Sequence, residues 1–156
     1  MKSGITIFAM ILSAALSNSV FAADKPDTTK QLAKVDGKHE CYEMRTYTAA
    51  PGKLDALHTR FREHTNKLFL KHGMTLIGYW TPAPIDNPKD GEVDRSKNTL
   101  VYILAYPDRK TRDKMWEAFR NDPEWKKAKD ESEKDGKLVE KVEEVFMTPT
   151  DFSPVK

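Results

Sequence analysis

Between residues 41 and 147 the hydrophobic period switches between two and 3.6 in the order β-α-β-β-α-β, and few folds accept that order. Tyr42-Glu43-Met44-Arg45-Thr46-Tyr47-Thr48 alternates as a first strand, with Tyr42, Met44 and Thr46 on one face and Glu43, Arg45 and Tyr47 on the other. After the Pro51-Gly52 break a helix is predicted from about Lys53 to His72. Leu54, Leu57, Phe61, Thr65, Leu68 and Phe69 share its apolar arc, while Lys53, Arg60, Glu63, Lys67 and Lys71 cover the opposite side. Gly73 is placed to end this helix in the left-handed region. A second strand is expected over Thr75 to Thr81. A proline-rich, charged stretch follows from Pro82 to Lys97, read as a tolerated insertion or a functional flap.

Thr99 to Tyr106 is apolar on both faces, as suits a central strand. Asp108 should cap a helix ending near Asn121. Asp122-Pro123-Glu124 should restart a shorter one, with an acid as cap and proline at the first position. The charged run Lys126 to Lys137 is expected to be solvated, and the last strand to cover Leu138 to Met147. The expected class is therefore α+β: a ferredoxin-like βαββαβ unit, a four-stranded antiparallel sheet with two main helices on one face. The other sheet face would carry apolar side chains into water, and such patches mark interfaces. Two sheets packed face to face across a two-fold axis would close a barrel, so a homodimer is expected.

Ahead of this unit, residues 1–22 read as a secretory signal peptide. Lys2 supplies the positive start, Ile5 to Leu16 the short apolar run, and Val20-Phe21-Ala22 the small-x-small cleavage pattern. Residues 23–40 read as a flexible linker, and 41–156 as the domain. The chain is expected to be exported, to the periplasm or the extracellular space. Loss of Lys2 with the leader lowers the formal charge from +2 to +1, a balanced surface that offers no footprint for nucleic acid or membrane. Cys41, the single cysteine, excludes an internal disulfide and is read as a buried, inert thiol.

Six residues stand out as candidate ligand-binding groups: Arg45, His58, His72, Tyr79, Arg112 and Trp116. On the first helix His58 and His72 fall within the apolar arc and His64 at its edge, where imidazoles serve as proton acceptors or simply as boundary residues. His58 and His72 are fourteen residues apart, roughly 21 Å along a helix, too far to share a metal. Arg112 shares an arc with Met115, Trp116 and Phe119. It either reaches into a pocket, stacked on Trp116, or forms a structural pair with a strand acid such as Glu43. Glu43 and Arg45 are spaced for a same-face pair. Tyr47, Tyr79, Trp80, Tyr102, Trp116 and Trp125 either line a cavity or fill the core. Motifs for nucleophilic hydrolysis, phosphoryl transfer, nicotinamide binding and paired zinc ligands are absent. The residues call for no cofactor and no metal.

Tyr42-Glu43-Met44-Arg45-Thr46-Tyr47 followed by Pro51-Gly52-Lys53 resembles the NIPSNAP family, as do Gly78-Tyr79-Trp80 and the run from Arg112, Trp116 and Phe119 into Asp122-Pro123-Glu124-Trp125. Pro149-Thr150-Asp151-Phe152-Ser153-Pro154 completes the likeness, which spans about Tyr42 to Pro154. The resemblance implies a dimeric α+β barrel, a superfamily that also holds cofactor-free oxygenases and haem enzymes, and brings no catalytic residue set. The expected function is that of an exported homodimer binding a small aromatic or acidic molecule. The alternatives are a cofactor-free monooxygenase or isomerase-like enzyme with a histidine base, and a non-catalytic interaction module.

Overall fold

The computed structural model describes residues 39–155; the leader and most of the linker lie outside the described residues. The elements run β1 (Cys41–Ala49), α1 (Leu54–Arg60), a π-helical turn (Phe61–Thr65), α2 (Asn66–Lys71), β2 (Thr75–Trp80), β3 (Thr99–Tyr106), α3 (Arg109–Asn121), α4 (Pro123–Ser132) and β4 (Val139–Met147). The sheet order is β2-β3-β1-β4 and every neighbouring pair is antiparallel, the split βαβ arrangement that the sequence predicts.

The ends of the helices form as their local chemistry dictates. Gly73, at φ +78°, closes α2: its N–H donates to the Leu70 carbonyl, and the Met74 N–H reaches back to Phe69. Asp108 accepts from the Thr111 N–H at 2.8 Å to cap α3, and Asp122 accepts from the Glu124 N–H at 2.8 Å to cap α4. Asp122 also receives Lys71 at 2.9 Å and His72 at 2.8 Å, which ties the end of α2 to the start of α4. The Lys71 and His72 hydrogen bonds hold its carboxyl far below the usual range.

The helices cover the sheet face that bears Glu43, Tyr47, Leu76, Tyr102 and Leu104. Leu57, Leu68, Phe69, Trp116 and Phe119 come down on it to make the core. Cys41 is buried there, and burial pushes its thiol up. The opposite face carries Tyr42, Met44, Val101, Ile103, Val145 and Met147 in register across three strands. It is only partly covered, leaving Trp80 51% and Val145 49% exposed.

Three features depart from the sequence-based expectation. The single helix over 53–72 is interrupted by the π turn, where the Asn66 N–H bonds the Phe61 carbonyl and the Thr65 hydroxyl bonds the Arg60 carbonyl at 3.2 Å. Arg60, assigned to the solvent side, is only 4% exposed. The cause is α4, which packs along that flank: Arg60 donates to Glu133 at 2.9 Å and lies 5.3 Å from the Trp125 ring. For the same reason the run 126–137 is not wholly solvated, since α4 buries Ala128.

Candidate ligand site

The six singled-out residues are not gathered in one place. Arg45, Arg112 and Trp116 converge on Glu43, which is fully buried. Arg112 donates through Nε to Glu43 Oε2 at 2.9 Å and through a second nitrogen to Oε1, forming a bidentate fork. Arg45 reaches Oε1 at 2.6 Å, the Tyr106 hydroxyl donates to Oε2 at 3.0 Å, and Trp116 Nε1 approaches Oε2 at 3.1 Å. The second Arg45 partner is Glu144, at 2.7 Å, on the rim of the cluster. The Arg45 guanidinium lies 4.5 Å from the Trp116 ring. Burial alone would raise the Glu43 carboxyl, but the Arg112 and Arg45 hydrogen bonds outweigh it and hold it below its ordinary value. This is the structural pairing of Arg112 with a strand acid, and it leaves the Glu43 oxygens saturated.

His72 is likewise engaged, with Asp122. His58 and Tyr79 lie apart from both sets, at the β2 edge of the sheet, where a hollow of about 280 Å³ opens between helix and strand. Its apolar walls are Phe61, Tyr79, Trp80 and Leu100; its polar groups come from His58, Arg62, Asn66 and Thr81. The Tyr79 ring stacks on Tyr102 at 5.7 Å and meets Phe61 edge-on at 5.9 Å, so the aromatic wall is fixed by the core. His58, Arg62 and Asn66 are spaced i, i+4, i+8 and form one row along the helix flank. The π turn falls in the middle of that row, and such turns concentrate at functional sites.

Two residues lining the hollow carry buried polar atoms with no hydrogen-bond partner: Tyr79 through its hydroxyl and Asn66 through Oδ1. An unpaired buried group of this kind costs on the order of 1–3 kcal/mol. Burial pushes the Tyr79 hydroxyl above the tyrosine range, so it stays protonated. Burial, then the nearby Arg62 charge, lowers the His58 imidazole below its ordinary value, so at neutral pH it is a free base, 3.3 Å from the Thr81 hydroxyl. The hollow thus offers a cation and a neutral imidazole beside aromatic surface, and two residues of its wall hold unmet polar atoms buried behind that surface. Arg62 and Asn66 were not singled out from sequence; the four-residue spacing that starts at His58 was the available signal. Among the described residues no group of three or more His, Cys, Asp or Glu side chains is placed to hold a metal ion.

Residues 42–154 match the NIPSNAP family, and the chain belongs to it. It is similar to a NIPSNAP family protein of unknown function from Agrobacterium tumefaciens, with 25% identity, a TM-score of 0.60, and coverage of 76% of this chain and 95% of that one. An uncharacterized NIPSNAP domain protein from Burkholderia xenovorans is 25% identical, with a TM-score of 0.57 and coverage of 73% and 98%. A second NIPSNAP family protein from Agrobacterium tumefaciens, at 22% identity and a TM-score of 0.61, covers 77% of this chain and 94% of its own and shares the fold. No curated protein matches the chain.

Proposed function

We propose that this NIPSNAP protein is an exported homodimer that binds a small aromatic or acidic molecule in the hollow between the π turn and the end of β2. The observation that carries the reading is the pair of unpartnered polar atoms on Tyr79 and Asn66, in the wall of a cavity that also presents Arg62 and His58. A protein interior rarely leaves buried donors and acceptors unmet, and where it does a bound group is a ready explanation. Phe61, Tyr79 and Trp80 suit a flat ring, while Arg62 suits a carboxylate or phenolate at the mouth. Export rests on the leader-like residues 1–22, and the dimer on the partly bare apolar sheet face with Trp80 and Val145 exposed.

The test is a thermal-shift screen of the mature chain against phenols, benzoates and hydroxybenzoates. A stabilising ligand is expected, with the shift reduced in Tyr79→Phe and lost in Arg62→Ala, while a folded Arg109→Ala control keeps it. A screen without stabilisers, or shifts indifferent to both hollow variants, would rule the reading out. One observation favours a catalytic version: His58, a neutral base, and Tyr79, a protonated phenol, line the same hollow, the two kinds of group needed to take a proton and support an enol or phenol oxygen. Turnover on enolisable phenolic substrates that disappears in His58→Gln would establish it.

A further inference from the structure

On the sheet face away from the helices the last residues of the chain fold back over one end. Tyr42, Ile77, Ile103 and Met147 form the floor of a second hollow, and Pro149 and Val155 stand in its wall; it encloses about 350 Å³. For scale, a dry cavity of about 150 Å³ admits benzene. The lining is mainly apolar. Tyr42 is 6% exposed, yet its hydroxyl is buried without a partner. Between the lining residues Thr150 and Ser153 comes Phe152, which is not part of the lining and is 84% exposed, the most exposed of the large apolar side chains among the described residues.

Its outward placement is held by the local backbone. The Ser153 N–H donates to the Thr150 carbonyl at 3.1 Å, the Ser153 hydroxyl to the Val155 carbonyl at 2.8 Å, and the Val155 N–H to the Ser153 hydroxyl at 3.3 Å. Thr150, Ser153 and Val155 face the hollow of their own chain while Phe152 faces away. A two-fold interface must be self-complementary, with projection and recess on one surface. This face has both, and they are continuous with the exposed Trp80 and Val145.

We infer that Phe152 of each chain seats in the Tyr42–Ile77–Ile103 hollow of a second copy, making the C-terminal turn the reciprocal anchor of the dimer. The inference rests on the dimer reading above and adds to it which side chain crosses and where it lands. A buried aromatic anchor of this kind dominates interface energetics, and its truncation weakens association by about tenfold or more.

The experiment uses the mature chain. Sedimentation gives the dimerisation constant of wild type and of Phe152→Ala, a surface change that leaves each fold intact. In parallel, p-benzoylphenylalanine at position 152 is photo-activated in a mixture of ¹⁴N- and ¹⁵N-labelled chains, and the cross-linked peptides are identified by mass. A weaker dimer for Phe152→Ala, with mixed-isotope cross-links to peptides holding Tyr42, Ile77 or Ile103, is expected. A wild-type dimer that Phe152→Ala leaves unchanged, or cross-links within one chain or to another surface, overturns this inference and leaves the dimer standing. A wild-type monomer at the highest soluble concentration removes both.

Discussion

Glu43 and Tyr79 lie on the same helix-covered face of one sheet, and their surroundings are opposite in kind. Around Glu43, two guanidinium groups, a phenol and an indole converge on two carboxylate oxygens, and the excess positive charge passes to Glu144 at the rim. Around Tyr79, a hydroxyl and an amide oxygen are buried without partners in residues that line a hollow. Both Glu43 oxygens are met, although Arg45 Nε beside them is itself buried without a partner, so the contrast lies between a satisfied carboxylate and an unmet hydroxyl and amide oxygen. The contrast separates polar atoms used for architecture from those held available, and it moves Arg112, the most conspicuous residue of the sequence, into the architectural set.

The largest effect should come from breaking the saturated end. Glu43→Ala leaves two buried guanidinium groups without their carboxylate and should cost about 3–5 kcal/mol of stability, as seen by urea denaturation. A loss under about 1 kcal/mol would mean that the cluster behaves like a surface salt bridge and that the contrast is false. The acid limb of stability sharpens the same point. Because the folded Glu43 carboxyl sits below its ordinary value, the stability it confers is complete above about pH 4.3 and drains away as pH falls through the folded value. Glu43→Gln should flatten that limb in a denaturation series from neutral pH downward.

A subtler comparison uses two tyrosines that stack on each other. Tyr102 donates its hydroxyl to Tyr47 at 2.9 Å, whereas Tyr79 has no partner. Removal of the hydroxyl should therefore act in opposite directions: Tyr102→Phe should lower stability by about 1 kcal/mol, and Tyr79→Phe should leave it unchanged or raise it by up to about 1 kcal/mol. Equal losses in the two chemical denaturation curves would show that Tyr79 is satisfied after all.

The smallest effect is expected at Gly78. A Cβ there would lie 2.6 Å from Cη2 of the Trp80 indole, which rests over the glycine on the open sheet face. Since that indole is exposed it can swing aside, and Gly78→Ala should change stability by less than about 1 kcal/mol. Trp80 emission should nonetheless shift, and a shift that also alters ligand affinity would show that the wall of the hollow depends on the indole's position.

Much of this was legible in the chain. The alternation of Tyr42 to Thr48, the arc from Leu54 to Phe69, the stop at Gly73 and the Asp108 and Asp122 caps all act within a few residues, where backbone sterics and hydrogen-bond geometry decide the outcome. Glu43 and Arg112 could be recognised as candidates for pairing because each sits on the buried face of its own element. Arg60 was misread because its cover comes from α4, more than sixty residues away in sequence. Arg62 and Asn66 escaped notice because a helix flank acquires meaning only when a particular strand edge is laid beside it.

The sequence by itself determined the elements, their order, the antiparallel split βαβ architecture and the family, since these follow from periodicity, capping and motif order. Only the tertiary structure decided that Arg45, Arg112 and Trp116 share one carboxylate, that His72 is tied to Asp122, and that His58 and Tyr79 border an open hollow. Saturation of a polar atom depends on what lies within about 3 Å of it, and distances between residues far apart in the chain are fixed by packing rather than by local pattern.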